Sequence, residues 1–130
     1  MSLKIPLRNV IAQRAFDLVR PDGARRLILV RLARPIRRAA DEYCCRYLIS
    51  GLGRPRSRSV SGFDSLQALM SALHMVSGEL EKAYRDGKGR LYWIGQRNLG
   101  LPNWKHIAHR RYHPHIRMKG VTQKTMPFGK

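Results

Sequence analysis

Acidic residues are scarce in this chain of 130 residues, and over its last third they are missing. Eight Asp and Glu stand against 26 Lys and Arg, a formal charge of +18. Residues 1–86 hold all eight acids with 16 of the cations; residues 87–130 hold ten cations and no acid. Such a chain repels itself and attracts polyanions or acidic protein surfaces. Nineteen of the cations are Arg. A GC-rich gene would favour Arg over Lys, but it would not remove acids. The asymmetry predicts a folded body, residues 1–103, followed by a basic tail, residues 104–130.

Cysteine is nearly absent. The two present, Cys44 and Cys45, are adjacent. Neighbours on a strand point to opposite faces, so a bridge between them would distort the peptide. A disulfide scaffold is excluded, and both are expected as thiols in a reducing cytoplasm. Long hydrophobic runs are also missing. "LILV", Leu27–Val30, is far too short to span a bilayer. "MSLKIPLRNV" lacks the apolar stretch of a signal peptide. The expected location is cytoplasmic, with no membrane contact.

Enzyme signatures are equally thin. No two carboxylates fall in a catalytic pairing, and G-x-S-x-G, H-E-x-x-H, C-x2-C and a phosphate-cradling glycine loop do not occur. The expectation is a binding protein without cofactor or small-molecule substrate. The fallback enzyme is a metal-free ribonuclease working by general acid–base chemistry, with His113 or His115, Arg111 and Tyr112 as its groups.

An apolar content of 43% is enough for a core in one domain. "QRAFDLVRPDGARRLILVRLARP" reads as a hairpin turning at Pro21-Asp22-Gly23, with strands at about 13–20 and 25–32. Ile28, Val30 and Leu32 share one face; Leu27, Leu29 and Arg31 share the other. "IRRAADE" is expected as a connection. "YCCRYLIS" alternates, with Tyr43, Cys45, Tyr47 and Ile49 opposite Cys44, Arg46 and Leu48. "RSRSVSGF" is a weaker fourth strand.

The strongest element is "DSLQALMSALHMVSGELEKAYRDG". Leu66, Leu69, Met70, Leu73, Leu80 and Tyr84 form a stripe at helical spacing. Asp64 is a natural N-cap with Gln67 three residues on, and Gly87 supplies the stop. Gly78 within the helix costs roughly 1 kcal/mol against Ala, a cost that close approach to a sheet would explain. The apolar knot Leu91–Ile94 fits either a fifth, edge strand or a segment folded over the helix. The prediction is a two-layer α+β domain: an antiparallel sheet of about four strands on one amphipathic helix, with a basic C-terminal tail.

"YCCRYLISGLG" followed by "SGFDSLQALMSALHMVSGEL" resembles a group of small bacterial cytosolic α+β domains of unknown function, in which strands lead into a G-x-D-S-x-Q-A-L helix start. The resemblance covers about residues 13–100, and its most specific piece is "GFDSLQAL", Gly62–Leu69. It implies the fold and a bacterial cytosolic origin, and it implies no activity.

Two basic clusters are the predicted sites. In the tail, Lys105, Arg110, Arg111, Arg117 and Lys119 can each neutralise a phosphate, and Trp104 and Tyr112 offer stacking faces to unpaired bases. His106, His109, His113 and His115 accompany them, but structural zinc usually recruits Cys or a fixed frame, so the arm reading outweighs a metal site. In the body, Arg54, Arg56 and Arg58 share one side of the fourth strand, and Arg46 lies on the outward side of the third. With the helix covering the other side, these guanidiniums would meet on the open sheet face. Arg34, Arg37 and Arg38 could extend that patch. Arg forks suit phosphate and carboxylate alike. The favoured partner is RNA or single-stranded nucleic acid. The alternative is an acidic protein, recognised by an inhibitor of the immunity or anti-defence type.

Overall fold

The computed structural model describes residues 5–102, and the chain is α+β. The described residues form six strands and one α-helix: β1 (Val10–Val19), β2 (Arg25–Ala33), β3 (Ile36–Ala39), β4 (Glu42–Ser50), β5 (Arg56–Gly62), α1 (Ser65–Arg85) and β6 (Arg90–Tyr92). All pairings are antiparallel. Strand β1 pairs with β2 and β6, and β4 pairs with β2, β3 and β5.

The six strands occupy five positions across the sheet. Strand β5 runs along one edge of β4, from Tyr43 to Ile49. The other edge is shared: β3 pairs with Glu42–Cys44 and β2 with Tyr47–Ser50. Arg34 and Pro35 separate these two pieces, and proline has no N–H to give to a ladder. The segment expected as a connection, "IRRAADE", therefore supplies a short strand. The knot at Leu91 begins as an edge strand against Asp17–Val19 of β1, the first of the two options open in the sequence. An expectation of four strands was too few.

The hairpin closes as its turn chemistry predicts. Arg20 N–H donates to Ala24 O at 2.8 Å, Gly23 N–H to Arg20 O at 2.8 Å, and Ala24 N–H to Asp22 Oδ1 at 2.9 Å. The helix starts at Asp64, whose Oδ1 accepts from Gln67 N–H at 2.7 Å, while Gln67 Oε1 accepts from Phe63 N–H at 2.6 Å. This is a capping box shifted by one residue. At the other end Gly87 N–H donates to Tyr84 O and Lys88 N–H to Ala83 O. That pair is the Schellman arrangement, and its left-handed residue is Gly87 at φ 79°.

The helix lies over β4 and β5. The core consists of Phe16 and Leu18 of β1, Ile28 and Val30 of β2, Cys45, Tyr47 and Ile49 of β4, and the inner face of α1. That inner face shares only Leu80 with the predicted stripe of large residues. Ala68, Ala72, Val76, Leu80 and Ala83 are the buried positions. Leu69 and Leu73 are only half-buried at the margin, and Leu66, Met70 and Tyr84 are exposed. Small side chains allow the helix axis to come close to the sheet, and the bulky neighbours are rotated outward. Gly62 shows how close: a Cβ there would collide with the backbone of Ala68. Gly78, to which close approach was ascribed, faces solvent with nothing within 4 Å of a Cβ position.

Beyond β6 the chain turns at Trp93–Gln96, closed by paired backbone hydrogen bonds of 2.8 and 2.9 Å. Ile94 occupies this turn at φ 51°. Arg14 of β1 then holds the returning segment. Its guanidinium stacks 3.7 Å from the Trp93 ring and donates to Leu99 O at 2.9 Å. Leu99 and Leu101 thereby pack on the edge of the core. Among the described residues no helix is long and apolar enough to cross a membrane.

Candidate functional site

The register of β4 against β5 decides where the predicted arginines go. Directly opposed residues of an antiparallel pair share a face. Arg46 opposes Ser59, whereas Tyr47 opposes Arg58 and Ile49 opposes Arg56. Arg46 therefore points to the open side of the sheet, and Arg56 and Arg58 point to the helix side. The sheet does not gather them into one patch. The sequence predicted the alternation of β4 but assigned β5 to the wrong side, because "RSRSVS" has arginines where a core face would have apolar residues. Arg54, expected on that strand, lies in the bend before it.

On the helix side the two arginines meet Glu79. Arg56 Nη1 lies 3.2 Å from Glu79 Oε1, and Arg58 Nε lies 4.0 Å from Oε2. The Tyr47 hydroxyl also donates to Glu79 Oε2. Tyr47 is fully buried, and the Glu79 side chain is 15% exposed. Burial, and then the adjoining carboxylate, push the Tyr47 phenol well above its ordinary value. One acid thus serves a buried hydroxyl and Arg56, with the exposed Arg58 at the outer limit of ion-pair distance. Glu79 carries no motif that marks it in the sequence. Its signal in the sequence is position: it lies three residues past Val76, on the inner side of α1.

On the open side, Arg46 Nε donates to Ser57 Oγ at 2.9 Å, and Arg31 Nε donates to Gln13 Oε1 at 3.2 Å. Ile5 packs beside Ala33 and Leu48 in a second small cluster. Part of this face is thus covered from the N-terminal side. The two thiols fall on opposite faces, as expected. Cys45 Sγ is buried and donates to Ala33 O at 3.3 Å, and burial pushes its pKa up to about 11. Cys44 lies 3.6 Å from Ser61 Oγ.

Cations without partners gather elsewhere, at the end of the sheet where three turns converge. These are the β1–β2 turn, the β4–β5 turn and the turn after α1. Between them is a cleft of about 360 Å³, lined by Arg20, Asp22, Arg26 and Lys88 with the backbone of Gly51–Gly53. None of Arg20, Arg26 and Lys88 makes an ion pair, side-chain hydrogen bond or ring contact among the described residues, and all three are exposed. Asp22, the one carboxylate in the lining, already accepts from Ala24 N–H. Arg54 adjoins this cleft in sequence. Arg37 and Arg38 are at the opposite end of β4, beside Asp41 and Glu42, and Arg34 lies between β2 and β3, level with the middle of β4.

A larger hollow of about 520 Å³ lies between α1 and the segment Arg97–Pro102, walled by Ser77, Glu81, Tyr84 and Leu91. It borders Pro102, where the described residues end. Trp104, Lys105, Arg110, Arg111, Tyr112, Arg117 and Lys119, with the four tail histidines, lie outside the described residues. No group of three or more potential metal ligands occurs among the described residues.

Residues 12–103 match the family described as Domain of unknown function (DUF6968), and the chain belongs to that family. The match includes every strand except the first residues of β1, the helix, and the returning segment held by Arg14. Comparison with curated proteins and with solved structures returns no match.

Proposed function

We propose that this protein is a non-enzymatic binding protein for nucleic acid, which it contacts through phosphate. The observation that carries this reading is the turn-end cleft. Three cations converge there without partners among the described residues, whereas Arg56 of β5 is engaged by Glu79. The overall charge of +18 supports the same reading, since a strongly cationic surface concentrates polyanions around it. The cations of residues 103–130 add to the field whatever their arrangement. RNA or single-stranded nucleic acid is favoured by Trp104 and Tyr112 among those cations.

The test is salt-dependent binding of a fluorescent single-stranded oligonucleotide to the full chain. Binding should weaken with salt along a log–log line, with a slope of roughly −0.7 per phosphate neutralised. Absence of binding at low salt would remove the reading.

A second reading is supported by another observation. Phe63, Leu66 and Met70 are exposed around the first turns of α1, at 64%, 62% and 47%. An apolar group beside a cationic body also suits an acidic protein partner, the alternative of an inhibitor. Under that reading the oligonucleotide fails to bind and an acidic protein competes for the helix surface.

A further inference from the structure

We infer that the turn-end cleft is a phosphate-binding site, formed by the side chains of Arg20, Arg26 and Lys88 and the backbone N–H groups of Leu52 and Gly53. The inference rests on the nucleic-acid reading for its biological ligand but not for its chemistry.

The backbone is the first argument. Gly51 and Gly53 have φ of 107° and 92°, and Leu52 between them does not share the positive sign. Alternating signs of φ turn successive N–H groups toward one side, the backbone device that makes an anion-binding concavity. Across the turns on either side, the N–H groups are used: Gly23 donates to Arg20 O and Gly87 to Tyr84 O. Among the described residues the N–H groups of Leu52 and Gly53 donate to no backbone carbonyl. N–H groups that the fold does not use, at the wall of a cleft, are available to a ligand oxygen.

Charge is the second argument. Three cations against the single carboxylate of Asp22 leave an excess of two positive charges in the lining. That excess matches a phosphomonoester dianion, or two successive phosphodiesters, better than one carboxylate. Arg20 and Arg26 bring planar forks and Lys88 a point charge. The volume of about 360 Å³ accepts a phosphate with the sugar attached to it.

Position is the third. The cleft is built from three separate turns, each anchored to the core. Gly51 presses on the carbonyl of Leu27 so closely that a Cβ would collide with it. Lys88 is fixed by its N–H bond to Ala83 O. The backbone that carries the donors is therefore anchored, and only the side chains of Arg20, Arg26 and Lys88 need ordering on binding.

The experiment is an amide NMR titration of the full chain with inorganic phosphate, against sodium chloride at matched ionic strength. A second titration uses a short oligonucleotide with and without a 5′-phosphate. The amide signals of Leu52, Gly53 and Lys88 should shift saturably with phosphate and not with chloride. The triple variant Arg20→Ala, Arg26→Ala, Lys88→Ala should weaken phosphate binding at least about tenfold while keeping the wild-type spectrum elsewhere. Each charge-assisted contact of about 1.5 kcal/mol or more corresponds to such a factor. Shifts centred on other residues, or unchanged affinity in the triple variant, would overturn the site. If phosphate binds the cleft but the oligonucleotide binds nowhere, the site stands and the nucleic-acid reading fails. If the oligonucleotide binds equally well to wild type and triple variant with the cleft amides unmoved, the reading stands and the site fails.

Discussion

Arg56 and Arg58 on β5 and Arg20, Arg26 and Lys88 at the turns carry the same charge and have opposite environments. The first two lie on the helix side, where Glu79 holds the half-buried Arg56 together with a buried tyrosine and stands 4.0 Å from the exposed Arg58. The other three face a cleft whose only carboxylate is already engaged. The difference teaches that a count of arginines is not a site. A cation that is paired inside its own fold contributes to architecture and has little left for a partner. A cation held on a rigid turn without a partner is available to one.

The largest expected effect comes from removing the acid that defines the first region. Glu79→Ala would leave the Tyr47 hydroxyl and the Arg56 guanidinium without their acceptor. It should cost about 3 kcal/mol in a denaturant titration, with Glu79→Gln milder because one acceptor remains. A change within about 0.5 kcal/mol, the size of ordinary surface substitutions, would show that Glu79 is not the keystone of the helix side. The triple variant of the cleft is the counterpart. Its unfolding free energy should match wild type to within about 0.5 kcal/mol, since no ion pair, side-chain hydrogen bond or ring contact among the described residues is lost.

The helix side should also reveal itself on the alkaline limb of a stability profile. Tyr47 and Cys45 have folded pKa values raised by burial, from ordinary values of 10.0 and 9.0. A raised acid of this kind favours the neutral form in the fold. Its contribution is complete below the unfolded pKa and is lost as pH rises through the folded one. The thermal midpoint should therefore hold to about pH 9 and fall as the Cys45 thiol is drawn toward ionisation near 11. Tyr47→Phe should flatten the steeper part of that fall. A midpoint that stays level through this range would contradict the buried placement of both groups.

The smallest effect sharpens the contrast from the solvent side of α1. Gly78 has open space around it and an ordinary helical position, so Gly78→Ala should stabilise by up to about 1 kcal/mol. Destabilisation would mean that the outer helix surface is covered after all.

Much of this architecture is legible in the sequence, because local chemistry sets it. The Pro21-Asp22-Gly23 turn, the Asp64 cap with Gln67, and the Gly87 stop all appear where their side chains and backbone freedom require them. The alternation of Tyr43–Ile49 likewise predicts its buried face. What failed was rank order by size. Leu66, Met70 and Tyr84 outweigh Ala68, Ala72 and Ala83 in hydrophobicity, yet the alanines face the sheet, because distance to the sheet, set at Gly62, selects small side chains. The same difficulty hid the site. The face of β5 depends on its register with β4, and the cleft assembles turns that are twenty-five or more residues apart in sequence. Neither is encoded in a short window. Pro35 was visible as a strand end, but its consequence, two strand pieces sharing one edge of β4, needs the tertiary pairing.

The most direct test of the central claim is the salt dependence of oligonucleotide binding in three forms of the full chain. These are wild type, the cleft variant with Arg20, Arg26 and Lys88 changed to Ala, and a control with Arg37 and Arg38 changed to Ala at the far end of β4. The cleft variant should bind at least about tenfold more weakly near 0.1 M salt, with a log–log slope flattened by roughly two phosphate contacts. The control should keep the wild-type slope to within about one contact. A control that loses as much as the cleft variant, or a cleft variant with the wild-type slope, would show that binding follows total charge and that the unpaired cations of the turns hold no special place.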